Sequence, residues 1–364
     1  MDFKKPLVIA ALVLSILGIF AVYSVDPFRG QGLVWSSFYG RQIIWCLVSW
    51  VWFLLIIRID YQTLIKYGWW IYLLVIFSLI AVLIVGEVDE TGSRRWIFSR
   101  SVQPSELAKI GFIIFLTRYL VQRVEEFDTW ALFFKVAALG AIPTLLIFFQ
   151  PDFGTAIFFV IISFLALVLS NFAVRRLLVI LGMGVVASFI SWFFLLDYQK
   201  ERLLSFFAPQ RDPLGSGYNV IQSLIAIGAG GLSGKGWLSG SQSQLQFLPA
   251  RYTDFIFAAW CEQFGFLGGM ALLVLFGVLI WSMFNIALEC PNLEGKFLTS
   301  LLTWIFVFQI GINIGMNMGI MPVTGIPLPF ISYGGSSLVV NLTAVGIIYN
   351  VAQSKGEEDW EPIL

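Results

Sequence analysis

The 364-residue chain contains no histidine, which removes Ser-His-Asp and Cys-His nucleophiles, haem ligation by His and His-rich metal sites in one step. Acid-base chemistry therefore falls to Asp, Glu, Lys or Tyr. Asp254 stands where a long polar stretch, Pro213 to Phe257, gives way to Phe255-Ile256-Phe257-Ala258-Ala259-Trp260. A carboxylate at such a boundary is dry enough to gain basicity and close enough to water to meet a polar substrate, as a general base requires. It is equally placed, like Thr253, to cap the helix that follows. Glu106 and Lys109 lie three residues apart on one face of an apolar segment opened by Pro104. An ionisable pair at that depth faces a bundle interior or a wet cavity, or else pins the helix. Asp152, in Gln150-Pro151-Asp152-Phe153-Gly154-Thr155, reads as a helix cap or as a second groove carboxylate.

The elements that position these groups are membrane helices. With 59% hydrophobic and 12% charged residues and a mean hydropathy of +0.87, the chain has too little polar surface to cover a soluble globule. Apolar runs of about bilayer-spanning length lie near residues 6–24, 38–57, 69–86, 105–121, 130–149, 152–170, 176–196, 255–285, 297–321 and 335–352. The expected fold is an all-α polytopic membrane protein of about 10 transmembrane helices. It is a single domain over 1–364, with a large extracytoplasmic loop, about 197–253, between spans 7 and 8. The eighth run is too long for one straight span and is expected to tilt or project near Gly265, Gly268 and Gly269. No A-x-A site follows the first run, so it is expected to be retained as a span. Cys46, Cys261 and Cys290 are too few and scattered for a disulfide framework or a thiolate metal site. A net charge of zero points to no nucleic-acid partner.

Lys4, Lys5, Arg58, Lys66, Arg118, Arg123, Arg175, Arg176, Lys296 and Lys355 mark one side as cytoplasmic, with both termini inside. The opposite side carries Arg94, Arg95, Arg100, Arg202, Arg211, Lys235 and Arg251 in Gly-, Ser- and Pro-rich connections, where retained cations read as ligand-binding or as solvated loop charges. Within the large loop, Gly217 to Gly230 has partly helical apolar spacing, that of an interfacial amphipathic helix. Gly319 to Ser337, with Pro322, Pro327 and Pro329 and with Ser332 and Tyr333 near its end, predicts a re-entrant-like, groove-lining segment before span 10, because irregular backbone at membrane depth is tolerated only inside protein or along a cavity.

The strings GSRRWI with QPSELAK, PDFGTA, DPLGSGYNVIQS through GKGWLSGSQSQLQFLP to TDFIFA, and PVTGIPLPFISYGGSS together resemble the SEDS (shape, elongation, division and sporulation) family over essentially the whole chain. The loop string and the short termini resemble the family's elongation branch more than its division branch. Ala250 and Tyr252 depart from the Glu and His of the family's LPE and HTDFIF strings, leaving Asp254 as the preferred base.

The resemblance implies a peptidoglycan glycosyltransferase of the bacterial cytoplasmic (inner) membrane that polymerises lipid II at the outer face. It implies Asp254 as base, and Lys109, Arg94, Arg95, Lys235 and Arg251 as binders of substrate or of the departing pyrophosphate. Glu106, Asp152, Ser332 and Tyr333 are the supporting groove. A divalent cation, Mg or Mn, held by Asp254, Glu106 or Asp152 is a weaker expectation, since no metal motif is recognisable. Implied partners are lipid II, the growing glycan strand, a class B penicillin-binding protein, other elongation-complex membrane proteins and the lipid bilayer. A lipid II flippase is the rival reading, using the same polar groove. The short, plain cytoplasmic loops favour the enzyme.

Overall fold

The computed structural model describes residues 3–28, 37–88, 94–97, 102–194 and 217–358, with isolated residues between 200 and 215. Arg100, Arg202 and Arg211, together with Gly92 and Ser93 of the GSRRWI string, lie outside the described residues. Each apolar run becomes a helix, because a chain in hydrocarbon must satisfy its backbone polar groups within the segment. These helices are α1 (Lys4–Val25), α2 (Phe38–Ile56), α4 (Gly68–Val85), α5 (Pro104–Val121), α6 (Trp130–Phe148), α7 (Phe153–Leu169), α8 (Val174–Ser191), α11 (Ile256–Glu289), α12 (Leu293–Asn317) and α13 (Gly335–Glu358). Seven of them (α1, α2, α4, α6, α11, α12 and α13) are long and apolar enough to cross a membrane by length and composition. The described residues also include the short helices α3 (Tyr61–Lys66), α9 (Tyr218–Gly230) and α10 (Ser241–Gln244) and the 3-10 turns Val124–Glu126 and Trp192–Phe194. The chain is an all-α polytopic membrane protein.

A small ribbon follows α4: β1 (Glu87–Val88) pairs antiparallel with β2 (Arg94–Trp96), Glu87 opposite Trp96. Its function in the fold is to turn Trp96 and Arg95 back toward the mouth of α5.

Burial separates centre from periphery. The best 18-residue windows of α12 and α13 are 72% and 67% buried, against 28% for α4 and α6, whose outer faces present Phe77, Ile84 and Phe134 to lipid. In α5 nearly every residue from Pro104 to Leu120 is buried. Among the described residues α5 is the helix that holds both partners of an ion pair, Glu106 and Lys109, and it is a central post with Leu107 its exposed side chain.

The long eighth run, expected to tilt or project near Gly265, Gly268 and Gly269, is broken at Gly265. Gly265 has φ 67° and ψ −163°, a combination essentially reserved for glycine. The backbone groups freed by the break are taken up by the loop. Lys235 and Gly236 donate N–H bonds to the carbonyls of Glu262 and Gln263 at 3.1 and 3.0 Å, while Phe266 and Leu267 donate to Gly231 and Leu232 at 2.8 and 3.1 Å. Glu262, fully buried, anchors the same loop, accepting from the Gln242 and Ser243 amides at 2.8 and 2.9 Å and from Lys235 Nζ at 3.3 Å. Helix α9 has the expected amphipathic character, but its Val220, Ser223, Ala226 and Gly230 face is buried. Ser223 Oγ donates to the Asn317 carbonyl at 2.7 Å, so this face packs on protein.

A Cβ at position 265 would collide with the Gly234 nitrogen and the Leu232 carbonyl, in addition to the roughly 1–3 kcal/mol of backbone strain. Gly265→Ala is expected to lower the thermal unfolding midpoint of the purified protein in detergent by several degrees. An unchanged midpoint would show that the break is not fixed by this glycine.

Candidate active site

The turn that leads into α11 carries Asp254. The N-cap position of α11 is Phe255, with no side-chain cap from its own segment, and Thr253 Oγ1 turns back to the Ala250 carbonyl at 3.3 Å. Capping comes instead from another helix: Asn317 Oδ1 accepts the Ala258 amide at 3.0 Å. The same asparagine donates Nδ2 to the Asp254 carbonyl at 2.9 Å, and Asn313 Nδ2 donates to it at 3.0 Å and to the Ile326 carbonyl at 2.8 Å. The backbone of Asp254 is held from α12. Gly325, at φ 74°, passes so close that a Cβ there would lie 3.7 Å from Asp254 Oδ2.

Asp254 lines a cavity of about 800 Å³ together with Arg41, Trp45, Trp96, Gln103, Tyr252 and Tyr333. One wall is aromatic. Phe38 stacks on Tyr252 at 4.3 Å between ring centroids and meets Tyr333 edge-on at 5.1 Å. The 319–337 segment is clasped to the Asp254 turn by Ser332, whose Oγ donates to the Thr253 carbonyl at 2.6 Å and accepts the Leu328 amide at 2.8 Å. Tyr333 N donates to the Tyr252 carbonyl at 2.8 Å. Gln42 of α2 closes the clasp, donating to the Ser332 carbonyl and accepting the Gly334 amide, each at 3.3 Å. Burial pushes the Tyr333 hydroxyl above its ordinary range, although a hydrogen bond with Arg41 works in the opposite direction. Tyr333 therefore stays a neutral hydrogen-bonding group.

A second, smaller cavity of about 100 Å³ is lined by Arg95, Trp96, Gln103, Glu106, Lys109, Asp152, Thr155, Phe158, Gly325, Ile326 and Pro327. Lys109 Nζ and Glu106 Oε1 are 2.8 Å apart, with both side chains almost wholly buried. Lys109 also lies 5.0 Å from the centroid of the Phe158 ring. Asp152 caps α7 through Oδ1, which accepts the Thr155 amide at 3.2 Å, and accepts Gln103 Nε2 on Oδ2 at 3.1 Å; the capping and groove roles are held by one residue. Arg95 donates to the carbonyls of Gln150 and Pro151. Trp96, Gln103, Gly325 and Pro327 line both cavities, so the buried ion pair and Asp254 face two chambers with a common wall.

Three of the candidate cations are placed elsewhere. Arg94 is exposed and donates to the Leu83 carbonyl at 3.3 Å. Lys235 is committed to Glu262 and to Ser241 Oγ at 2.7 Å. Arg251 is buried and donates Nε to the Val25 carbonyl at 3.0 Å, at the end of α1; burial lowers its pKa, with Tyr252 and Asp26 acting the other way. Arg41, Gln42, Asn313 and Asn317 were not singled out in the sequence. The available signal was polar side chains inside apolar spans, with the two asparagines one helical turn apart. Among the described residues no three His, Cys, Asp or Glu groups form a cluster that suits a metal ion.

The sequence model of the FtsW/RodA/SpoVE cell cycle proteins matches residues 5–357. The chain belongs to this family. It is 37% identical over 354 residues to the stage V sporulation protein E of Bacillus subtilis, covering 95% of this chain and 96% of that one. It is 41% identical over 295 residues to the peptidoglycan glycosyltransferase MrdB of Escherichia coli K12, covering 78% of each. Among solved structures it superposes with a TM-score of 0.80 on a chain of a peptidoglycan synthase complex described as coordinating polymerization and crosslinking, at 32% identity over 96% of this chain and 97% of that one. The rod shape determining protein RodA of Thermus thermophilus gives a TM-score of 0.68 at 28% identity, over 96% of both chains. The chain is a multi-pass peptidoglycan glycosyltransferase of the SEDS family.

Burial of the Glu106–Lys109 pair changes how it is best tested. Removing one partner strands a buried charge and costs about 3–5 kcal/mol whatever the pair does, whereas replacing both with apolar residues is often neutral for stability. The double variant Glu106→Leu/Lys109→Met is expected to keep its unfolding midpoint within a few degrees of the parent and to lose glycan synthesis by at least about 100-fold, the lower range for a lost transition-state contact. Retained activity in a stable double variant would assign the pair to helix pinning.

Proposed function

We propose that this chain polymerises lipid II into glycan strands at the outer face of the cytoplasmic membrane during cell elongation, with both termini cytoplasmic and Asp254 as general base. The observation that carries this reading is the placement of Asp254: it lines the large polar cavity, on a turn whose backbone Asn313 and Asn317 hold from a different helix. The acceptor's sugar hydroxyl attacks the anomeric carbon of the polyprenyl-linked glycan. Its proton passes to Asp254, the new glycosidic bond forms with inversion, and the bond to the pyrophosphate oxygen breaks, its electron pair leaving with the polyprenyl pyrophosphate. Arg41 in the same cavity supplies positive potential for that leaving group. Asp254 would hold a magnesium or manganese ion, if one takes part, and the ion would supply positive charge for the departing pyrophosphate. The elongation role is supported by the likeness to the Thermus RodA structure and by the GKGWLSGSQSQLQFLP loop.

Asn caps helices about as well as Asp but cannot accept a proton as a base. Asp254→Asn is expected to reduce polymerisation of labelled lipid II on a glycan-chain gel by about 100-fold to 10,000-fold, the range of general-base catalysis, with lipid II binding retained. Polymer formed within about threefold of the parent, far inside that range, would remove Asp254 from the mechanism. Translocation of the headgroup without polymer would instead favour the flippase.

The likeness to a synthase complex that couples polymerization to crosslinking supports a class B penicillin-binding protein as partner. The purified chain alone is expected to polymerise lipid II poorly and to improve when that partner is added. Equal rates with and without it would count against the partnership.

A further inference from the structure

The inner cavity has a chemical character that pyrophosphate binding does not explain. Its lining includes two carboxylates, Glu106 and Asp152, and two cations, Lys109 and Arg95, so its formal charge is zero and a multiply charged anion gains little there. It is also small. A cavity of about 150 Å³ accommodates benzene, with six heavy atoms, so about 100 Å³ suits a group of about four.

Its polar groups are incompletely used. Glu106 Oε1 is bound by Lys109, but Glu106 Oε2 is buried and accepts no hydrogen bond. A buried acceptor left unpaired is costly, which makes this a place for a donor brought by a ligand. Beside it, Lys109 spends one N–H on Glu106 out of the three an ammonium carries, leaving donors for a carbonyl oxygen. Phe158, Ile326 and Pro327 supply apolar wall.

We infer that this cavity is an N-acetyl pocket, receiving the 2-acetamido group of a sugar at the reacting bond. The acetamido group has four heavy atoms, is uncharged, and offers one N–H for Glu106 Oε2, one carbonyl oxygen for Lys109 and one methyl for the Phe158 side. The inference rests on the lipid II reading above and names the substrate group that enters beside Trp96, Gln103, Gly325 and Pro327, the residues that line both cavities. In this role the ion pair is a donor–acceptor fork for a neutral amide, and Arg41, in the outer chamber, is the cation nearest the departing phosphates.

Both sugars of lipid II carry a 2-acetamido group, so the test uses two synthetic lipid II preparations. In one the glucosamine nitrogen is replaced by oxygen (2-acetoxy), and in the other the muramyl nitrogen. Each preserves size and carbonyl but removes the N–H. The chain is assayed with its transpeptidase partner, reading kcat/KM on glycan gels beside natural lipid II. One of the two analogues is expected to fall by at least about 100-fold, because a site built to hydrogen-bond a substrate N–H rejects the analogue lacking it; the rejected one identifies the sugar. An N-butyryl group on that same sugar is expected to lose at least about tenfold by overpacking, and Phe158→Leu should narrow that loss. Use of both acetoxy analogues within threefold of natural lipid II overturns the inference while leaving the glycosyltransferase reading intact. Failure to polymerise natural lipid II would overturn that reading and the pocket with it.

Discussion

The hydrogen bonds from Asn313 and Asn317 are the interaction on which the site depends. Two irregular segments, the half-buried turn before α11 and the largely buried 326–332 stretch of the 319–337 segment, lie in a protein whose lipid surroundings offer no water to satisfy loose backbone groups. Side-chain amides on a helix solve this problem because each carries donors and an acceptor in fixed geometry. Asn317 reaches the Asp254 carbonyl and the Ala258 amide, and Asn313 reaches the Asp254 and Ile326 carbonyls. One turn of α12 thereby fixes the relative position of both walls of the chamber. Ser332 and Gln42 complete the arrangement from the other side.

Much of this was legible in the sequence, and the reasons differ from element to element. The spans were legible because a bilayer imposes a length and a hydropathy that few other constraints imitate, and a departure from one straight span near Gly265 because the apolar run 255–285 is too long for it; the break itself was not. Glu106 and Lys109 were legible because charge inside an apolar run has a short list of explanations. The destinations of Arg94, Lys235 and Arg251 were not. A cation in a polar loop has the same sequence signature whether it meets substrate, a helix end or a buried carboxylate, and only the fold shows that Glu262 waits for Lys235 and the end of α1 for Arg251. Arg41 was missed for the opposite reason: in the first turn of α2 it looks like an interfacial charge until Tyr333 is brought across to it.

Charge compensation follows the same division. On α5 the buried cation is neutralised three residues away within its own helix, so the charge is balanced there without help from another element. Lys235 and Glu262 are 27 residues apart and can meet only after the loop has closed on α11. The first pair can form as the helix forms. The second reports that tertiary docking is finished.

The pairing across Gly265 also constrains how the chain can vary. Because residues 231–236 and 262–267 exchange main-chain bonds in fixed register, an insertion or deletion within either strip would slide one backbone past the other. Carbonyls opened by the helix break would then be stranded. Length changes in the large loop are consequently confined to positions outside the two strips. For the same reason an epitope tag or a fluorescent domain placed at Leu232 or Lys235 would unseat α11 at its break, however solvent-accessible those side chains are.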